Sequence, residues 1–372
     1  MKSDIIFAPL QCRNLTLKNR ILRSNTYGNF DNPDGTGTTA RLKWEEKFAR
    51  GGVGAILSCV VPVCGTGRIA PNCATLDRDE QIPFWRQVAQ TVHHYDCKYI
   101  AQLSYGGSHL GALSQTIAPE KIQQIVNRFA DAARRAREAR LDGVEVDATK
   151  SGTGRLLEDE TNGRLNSIAN LVGQFLSDTV NHRIDEYGGS FENRSRFLLE
   201  IVTAIRTQVG GDFHLQVKID ALETRDREIQ LCQWIERAGA DALHLGSKLP
   251  VADRPSGNFP LDIEGEHIQK VQQIEKAVRI PIFCTGGFQS ASYIRKAIAE
   301  GCCDAVTIAR ALIANPNLPK IFAEGKDSPD KPCTYCEKCR LNLVDNPLGC
   351  YDVTRYDGDY TQMSREILSV YR

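Results

Sequence analysis

The chain has 372 residues, with 46 Lys plus Arg against 46 Asp plus Glu. That balance carries no long-range field to draw nucleic acid or an anionic membrane, so a small-molecule substrate is the expected partner. The start, MKSDIIFAPLQ, lacks a secretory apolar core and cleavage site, and no apolar run approaches the ~18 residues of a membrane span, so a cytoplasmic location is expected. Thirteen cysteines in a reducing compartment read as buried thiols or metal ligands. The adjacent Cys302 and Cys303 would make an awkward disulfide.

In chain order, RILRSN, GVGAILSCV, KYIAQLS, DGVEVDA, HLQVKID, DALHLG, PIFCTGG and DAVTIAR are short β-branched runs that read as eight strands. A helical pattern follows each. In PEKIQQIVNRFADAARRAREAR, Ile122, Ile125, Phe129 and Ala132 recur at steps of three and four, and the basic end suits the helix dipole. This alternation predicts an α/β TIM (β/α)8 barrel with its active site at the strand C-terminal ends. An open doubly wound sheet would want a G-x-G-x-x-G fingerprint after its first strand, and RSNTYGNFDNPDGTG does not supply one. Composition shifts after Ile321, where EGKDSPDKP leads into a cysteine-rich segment. The expected organisation is a barrel over 1–325 and a C-terminal appendage over 326–372.

Loops after the seventh and eighth strands of such a barrel commonly hold a phosphate. Here they offer Gly286 and Gly287, which allow close backbone approach, and then Ala309 and Arg310, whose side chain is a planar donor fork. A glycine pair also simply ends strands, but with an arginine on the neighbouring strand a phosphorylated cofactor is the better reading. In the tail, CTYCEKCRLNLVDNPLGC spaces Cys333, Cys336, Cys339 and Cys350 by two, two and ten residues. Two CxxC steps that share a central cysteine follow a ferredoxin-like pattern, whereas structural zinc more often uses two separated knuckles. Spacing favours a cluster and leaves zinc and plain buried thiols open.

QFLSDTVNHRIDEYGGSFENRSRFLLEIV strongly resembles the signature of the old yellow enzyme family of flavin oxidoreductases. FAPLQCRNLTLKNRILRS and AVTIARALIANPNLPK resemble it as well. With the cysteine tail, the chain is most similar to the iron-sulfur branch that includes 2,4-dienoyl-CoA reductase and trimethylamine dehydrogenase. The resemblance implies a TIM barrel holding FMN, with its phosphate on the loops just described and a [4Fe-4S] cluster on the four tail cysteines. It places Ser24, Asn25 and Thr26 under the isoalloxazine ring, and Gln102 at the pyrimidine edge of the flavin. Lys218 then lies beside flavin N1 and O2, where positive charge stabilises the reduced form.

The substrate side departs from the family. Relatives carry a His-x-x-Asn or His-x-x-His pair at the fourth strand, whereas VEVDATK puts Asp147 and Lys150 there. An ionised aspartate cannot donate to a carbonyl, which argues against plain polarisation of an enone by that pair. A stretch of mixed charge, SGTGRLLEDETNGRLNS, follows and reads either as a surface loop or as a substrate-shaping element. At the third strand Tyr105 and Ser108 replace the family's histidine and arginine. That leaves Tyr105 as the candidate proton donor or clamp, although a tyrosine at a strand end is often only packing. The seven histidines show no spacing that joins them into a metal site.

The expected chemistry is hydride transfer between flavin N5 and a small organic substrate, with the cluster relaying single electrons. The sequence ends at Arg372, soon after the cysteines, so the expected electron source is NAD(P)H bound over the flavin or a separate electron-transfer protein. Two alternatives stand beside this reading. One is a zinc-stabilised lyase barrel with a Schiff-base Lys150 or Lys218, and the other a flavin-binding homologue without activity.

Overall fold

Short apolar strands must bury both faces, and here they do so by closing into a ring surrounded by helices. The computed structural model describes residues 4–68, 71–106, 116–149, 170–220, 222, 224–246, 268–344 and 346–372. An antiparallel hairpin, β1 (Leu10–Cys12) and β2 (Leu15–Leu17), precedes the barrel. The barrel strands are β3 (Ile21–Arg23), β4 (Ala55–Pro62), β5 (Lys98–Ser104), β6 (Gly143–Asp147), β7 (His214–Ile219), β8 (Ala242–Leu245), β9 (Ile282–Thr285) and β10 (Ala305–Ile308). All pair in parallel, and β10 closes the ring on β3 with Val306 opposite Ile21. These are the eight strands expected from the sequence, so the TIM barrel stands. The hairpin was not expected. Its Leu10, Cys12, Leu15 and Leu17 pack with Leu22, Leu57, Ile100 and Phe283 in a separate apolar cluster.

Around the ring lie α1 (Thr39–Gly51), α2 (Ile82–His93), α3 (Pro119–Glu138), α4 (Leu171–Leu176), α5 (Phe191–Val209), α6 (Arg225–Arg237), α7 (Ile268–Glu275), α8 (Ala291–Ala299), α9 (Arg310–Ala314) and α10 (Leu318–Ala323). The α3 stripe holds as read: Ile122, Ile125, Phe129 and Ala132 are buried, and Pro119 opens the helix where its missing N–H costs nothing. The helix packs along α5. Ser190 caps α5, its hydroxyl accepting from the Asn193 N–H at 3.1 Å.

Behind β3 the wall contains charge rather than hydrocarbon. Arg41 binds Asp31 and, at 3.2 Å, Glu45, while Arg23 also binds Glu45 and the Tyr99 hydroxyl donates to it at 3.0 Å. All four ionic side chains are buried. Each charge faces its opposite, which is the condition for keeping ions out of water.

The cysteine segment is packed against the barrel. Its α11 (Lys338–Leu341) and α12 (Tyr360–Ile367) are short. The Leu348 N–H donates to Gly28 O at 3.1 Å, and Lys47 of α1 pairs with Glu366 at 3.5 Å. Tyr371 approaches Phe30 at 6.3 Å between ring centroids. The tail therefore covers the β9, β10 and β3 sector.

Candidate active site

At the C-terminal ends of β3, β5, β6 and β7, polar side chains meet that are far apart in the chain. Lys218 Nζ donates to Asn25 Oδ1, Asn25 Nδ2 to Gln102 Oε1 at 2.8 Å, and Gln102 Nε2 to Glu145 Oε1 at 2.6 Å. Gln102 is placed by an irregularity in its neighbour. The β4–β5 register shifts between Leu57 and Val60, and the Ser58 hydroxyl there accepts from the Gln102 N–H at 2.8 Å. Such shifts re-aim side chains beside barrel rims. Ser24 and Thr26 stand next to this group. The Ser24 N–H donates to Ile308 O at 2.9 Å, and the Thr26 hydroxyl accepts from Arg23 at 3.2 Å.

Deeper in, Glu145 Oε2 accepts from Gln216 Nε2 and from His244 Nδ1 at 2.8 Å. His244 Nε2 meets the hydroxyls of Thr285 at 2.8 Å and Thr307 at 3.0 Å. Burial alone would raise the Glu145 carboxyl, but the His244 and Lys218 charges and these hydrogen bonds hold it down at about 2. Burial pushes His244 and His214 below the usual histidine range, against the pull of Glu145 and Gln216 respectively. Sequence reading passed over Glu145, Gln216 and His244. The available signal was a glutamate, a glutamine and a histidine inside strands that otherwise read as fully buried.

The two depressed histidines set an acid limit on stability. Unfolding returns each ring to the ordinary histidine value of 6.5, so below that pH the unfolded chain binds protons that the native chain refuses. Their contribution is complete above that value and lost as pH falls toward the lower native values. Denaturant unfolding at steps from pH 7 to 5 should show stability declining by up to roughly 1.4 kcal/mol per pH unit for each histidine. A flat profile would mean that each ring titrates alike in the folded and unfolded chain.

The substrate-side candidates share one rim. The Asn170 side chain donates to Asp147 O at 2.6 Å, and the Leu171 N–H donates to Tyr105 O at 2.8 Å. Asn170, not singled out from the sequence, thus stands at the junction of the β5 and β6 ends. Asp147 Oδ1 accepts from the Thr149 N–H at 3.1 Å and its hydroxyl at 2.8 Å. Burial raises the Asp147 carboxyl, opposed by the charge of Lys218. Burial also raises the Tyr105 phenol, opposed in part by a hydrogen bond with Thr66. Ser108, Lys150 and the mixed-charge stretch over 151–167 lie outside the described residues.

Across the mouth, Gly286 and Gly287 follow β9, and Ala309 precedes α9, which Arg310 begins. The Tyr335 hydroxyl donates to Gly287 O. Arg310 pairs with Glu337 and lies over the Tyr335 ring at 4.8 Å. Cys333, Cys336, Cys339 and Cys350 line one small pocket together with Arg310 and Arg355. Tyr335 and Glu337, between the cysteines, take φ of 55° and 60°, the left-handed region that curls this loop. Arg355 Nη1 donates to Cys350 Sγ at 3.2 Å, and the Tyr335 N–H to Cys333 Sγ at 3.4 Å. Burial pushes Cys333 up to about 11 and Cys339 up to about 12, with Arg310 pulling both down.

Among the described residues no three His, Cys, Asp or Glu side chains converge on a single-ion position. A tetrahedral zinc, with Zn–S near ~2.3 Å, would need its thiolates drawn in to roughly 3.8 Å of one another. The four cysteines that line this pocket are soft donors of the kind that bind iron-sulfur centres or zinc. The mouth likewise suits a flavin. Fully buried Ser104 Oγ, two residues beyond Gln102 on the same strand face, has no partner among the described residues. A buried hydroxyl left unpaired on the strand that carries Gln102 is a group that a polar ring edge could satisfy.

Residues 5–118 and 165–328 match the NADH:flavin oxidoreductase / NADH oxidase family. The unmatched interval contains β6, with Asp147 and Lys150. An NADH oxidase of Thermoanaerobacter brockii is 30% identical over 92% of this chain and 56% of its own length. A 2-naphthoyl-CoA reductase structure in complex with 2-naphthoyl-CoA superposes with TM-score 0.80 at 23% identity, over 96% of this chain and 58% of that one. A morphinone reductase structure in complex with tetrahydroNAD superposes with TM-score 0.69 at 23% identity, over 92% and 97%. The chain spans about half the length of the first curated relatives it matches. By fold and by sequence, this chain belongs to the NADH:flavin oxidoreductase / NADH oxidase family, flavoenzymes that use FMN.

Proposed function

We propose that this chain is an FMN-dependent oxidoreductase that moves a hydride between the flavin and a small organic substrate, with a [4Fe-4S] cluster on Cys333, Cys336, Cys339 and Cys350. The observation that carries the reading is Arg310. It begins the helix after β10, where a phosphate is expected, and it also lines the cysteine cavity, so the two centres share a wall. A cluster held there would supply single-electron exchange between the flavin and a separate electron-transfer protein. Residues 326–372 are then the cluster-binding extension of a barrel over 1–325.

Bound FMN supplies a centre that accepts a hydride and releases single electrons. Ser24, Asn25 and Thr26 support its ring, and Gln102 meets its pyrimidine edge. Gly286, Gly287, Ala309 and Arg310 hold its phosphate. Lys218 keeps positive charge where negative charge grows on reduction. Tyr105, held protonated by burial, is the proton donor or clamp for substrate. Asp147 and Lys150 stand where relatives grip a carbonyl, which favours a specialised substrate and oxidation as the working direction. NAD(P)H is the donor when the reaction runs as a reduction.

Purification without oxygen, followed by assay of FMN, iron and zinc per chain, tests this. One FMN with about four irons and broad thiolate-to-iron absorbance is expected. Flavin with zinc or with no metal would make the four cysteines structural and remove the relay. Absence of flavin would remove the oxidoreductase reading.

A further inference from the structure

The hydrogen bonds at the barrel mouth run in one direction and have no freedom to reverse. A lysine ammonium only donates, and an ionised carboxylate only accepts. Between Lys218 and Glu145 stand two carboxamides, Asn25 and Gln102, each with one donating and one accepting end. Lys218 takes the Asn25 oxygen, Asn25 nitrogen takes the Gln102 oxygen, and Gln102 nitrogen takes Glu145. Turning either amide over sets donor against donor on one side and acceptor against acceptor on the other.

The far terminus is fixed as firmly. Glu145 is fully buried and receives three donors: Gln102 at 2.6 Å, His244 at 2.8 Å, and Gln216. Gln216 is oriented in turn by His214 Nε2, 2.9 Å from its Oε1. Glu145 therefore cannot be exchanged for its own amide without placing an N–H against a donor. A buried polar network with one faulty member loses more than a single bond.

We propose that Glu145 is a positioning residue for the flavin. As the accepting terminus of this chain of bonds, it holds Gln102, and through Asn25 the Lys218 ammonium, in the single orientation offered to the pyrimidine edge, and its charge tunes flavin reduction. This rests on the flavin site proposed above. Glu145 need not touch flavin or substrate. It acts through Gln102.

The test compares Glu145→Gln with Glu145→Asp in the FMN-loaded protein, by spectroelectrochemical titration. Glu145→Gln keeps shape but adds a donor and removes the charge. Glu145→Asp keeps the charge and the acceptor-only chemistry but shortens the side chain. The expected result for Glu145→Gln is at least a tenfold change in the two-electron reduction equilibrium, about 30 mV toward positive potential. Glu145→Asp should stay within about threefold of wild type, close to half a pH-unit equivalent in free energy. A role in packing alone reverses the order, with Gln at the wild-type potential and Asp displaced, and that result overturns the proposal. Should Glu145→Gln fail to retain FMN, thermal midpoints of the two apo variants decide: Asp above Gln supports the donor chain, and Gln above Asp overturns it. A wild-type protein that takes up no FMN would overturn the flavin reading and this role together, whereas FMN-loaded wild type with an unshifted Glu145→Gln overturns this role alone.

Discussion

Arg41→Met is expected to destabilise the fold by about 3–5 kcal/mol, the range for removing one partner of a buried ion pair. Arg41 is fully buried and binds Asp31 and Glu45. Without it, Asp31 keeps the Ala74 N–H at 2.9 Å as a partner but no counterion, and Glu45 keeps Arg23 and Tyr99. An uncompensated carboxylate in this wall costs more than the lost attraction, because water cannot reach it. The effect should extend to the flavin side, since Arg23 of the same cluster also binds Thr26. Denaturant unfolding of Arg41→Met beside Lys326→Ala is the informative comparison. Lys326 forms an exposed pair with Asp330 at 3.0 Å, and its loss should cost about 0–1 kcal/mol. Equal effects of the two substitutions would mean that water reaches the Arg41 cluster.

Lys218→Met is expected to slow flavin reduction by NAD(P)H by roughly 10²–10³-fold, as when one preorganised charge-stabilising donor is removed. FMN should remain bound, because the other proposed contacts belong to different strands and loops. Lys218 is partly buried among Asn25, Glu145 and Asp147. The substitution leaves those two acidic groups without their shared cation, so the local potential turns against a gain of electrons. Lys218→Arg should recover part of the rate, limited by a wider head group that cannot repeat the bond to Asn25 in the same place. Stopped-flow reduction under anaerobic conditions separates this from weaker nicotinamide binding, which would raise KM at constant limiting rate. A limiting rate for Lys218→Met within threefold of wild type would assign the charge to another residue.

Much of the architecture was legible in sequence because its causes are local. An apolar run long enough for one strand, then a stripe at three- and four-residue steps, repeats along the chain, and α3 buries the residues its period requires. The hairpin at Leu10–Leu17 escaped because strands of three residues carry too short a period to register. Gly286, Gly287, Ala309 and Arg310 could be read from their place after the last two strands, whereas Ser24, Asn25, Thr26, Gln102 and Lys218 came through family resemblance. Asn25, Gln102 and Lys218 do lie together, but nothing in their own neighbourhoods announces it.

Sequence by itself determined the strand and helix alternation, the even balance of charge, and the close spacing of Cys333, Cys336 and Cys339. These follow from neighbours a few bonds apart. Tertiary structure alone decided that Glu145 ends a chain of bonds from Lys218, through partners 193, 77 and 43 positions apart. It also decided that the tail returns to Gly28 and Gly287. Closing the barrel turns alternate side chains of different strands toward one interior. There each buried polar atom must find a partner across the ring, and no local pattern in the chain records which one it finds.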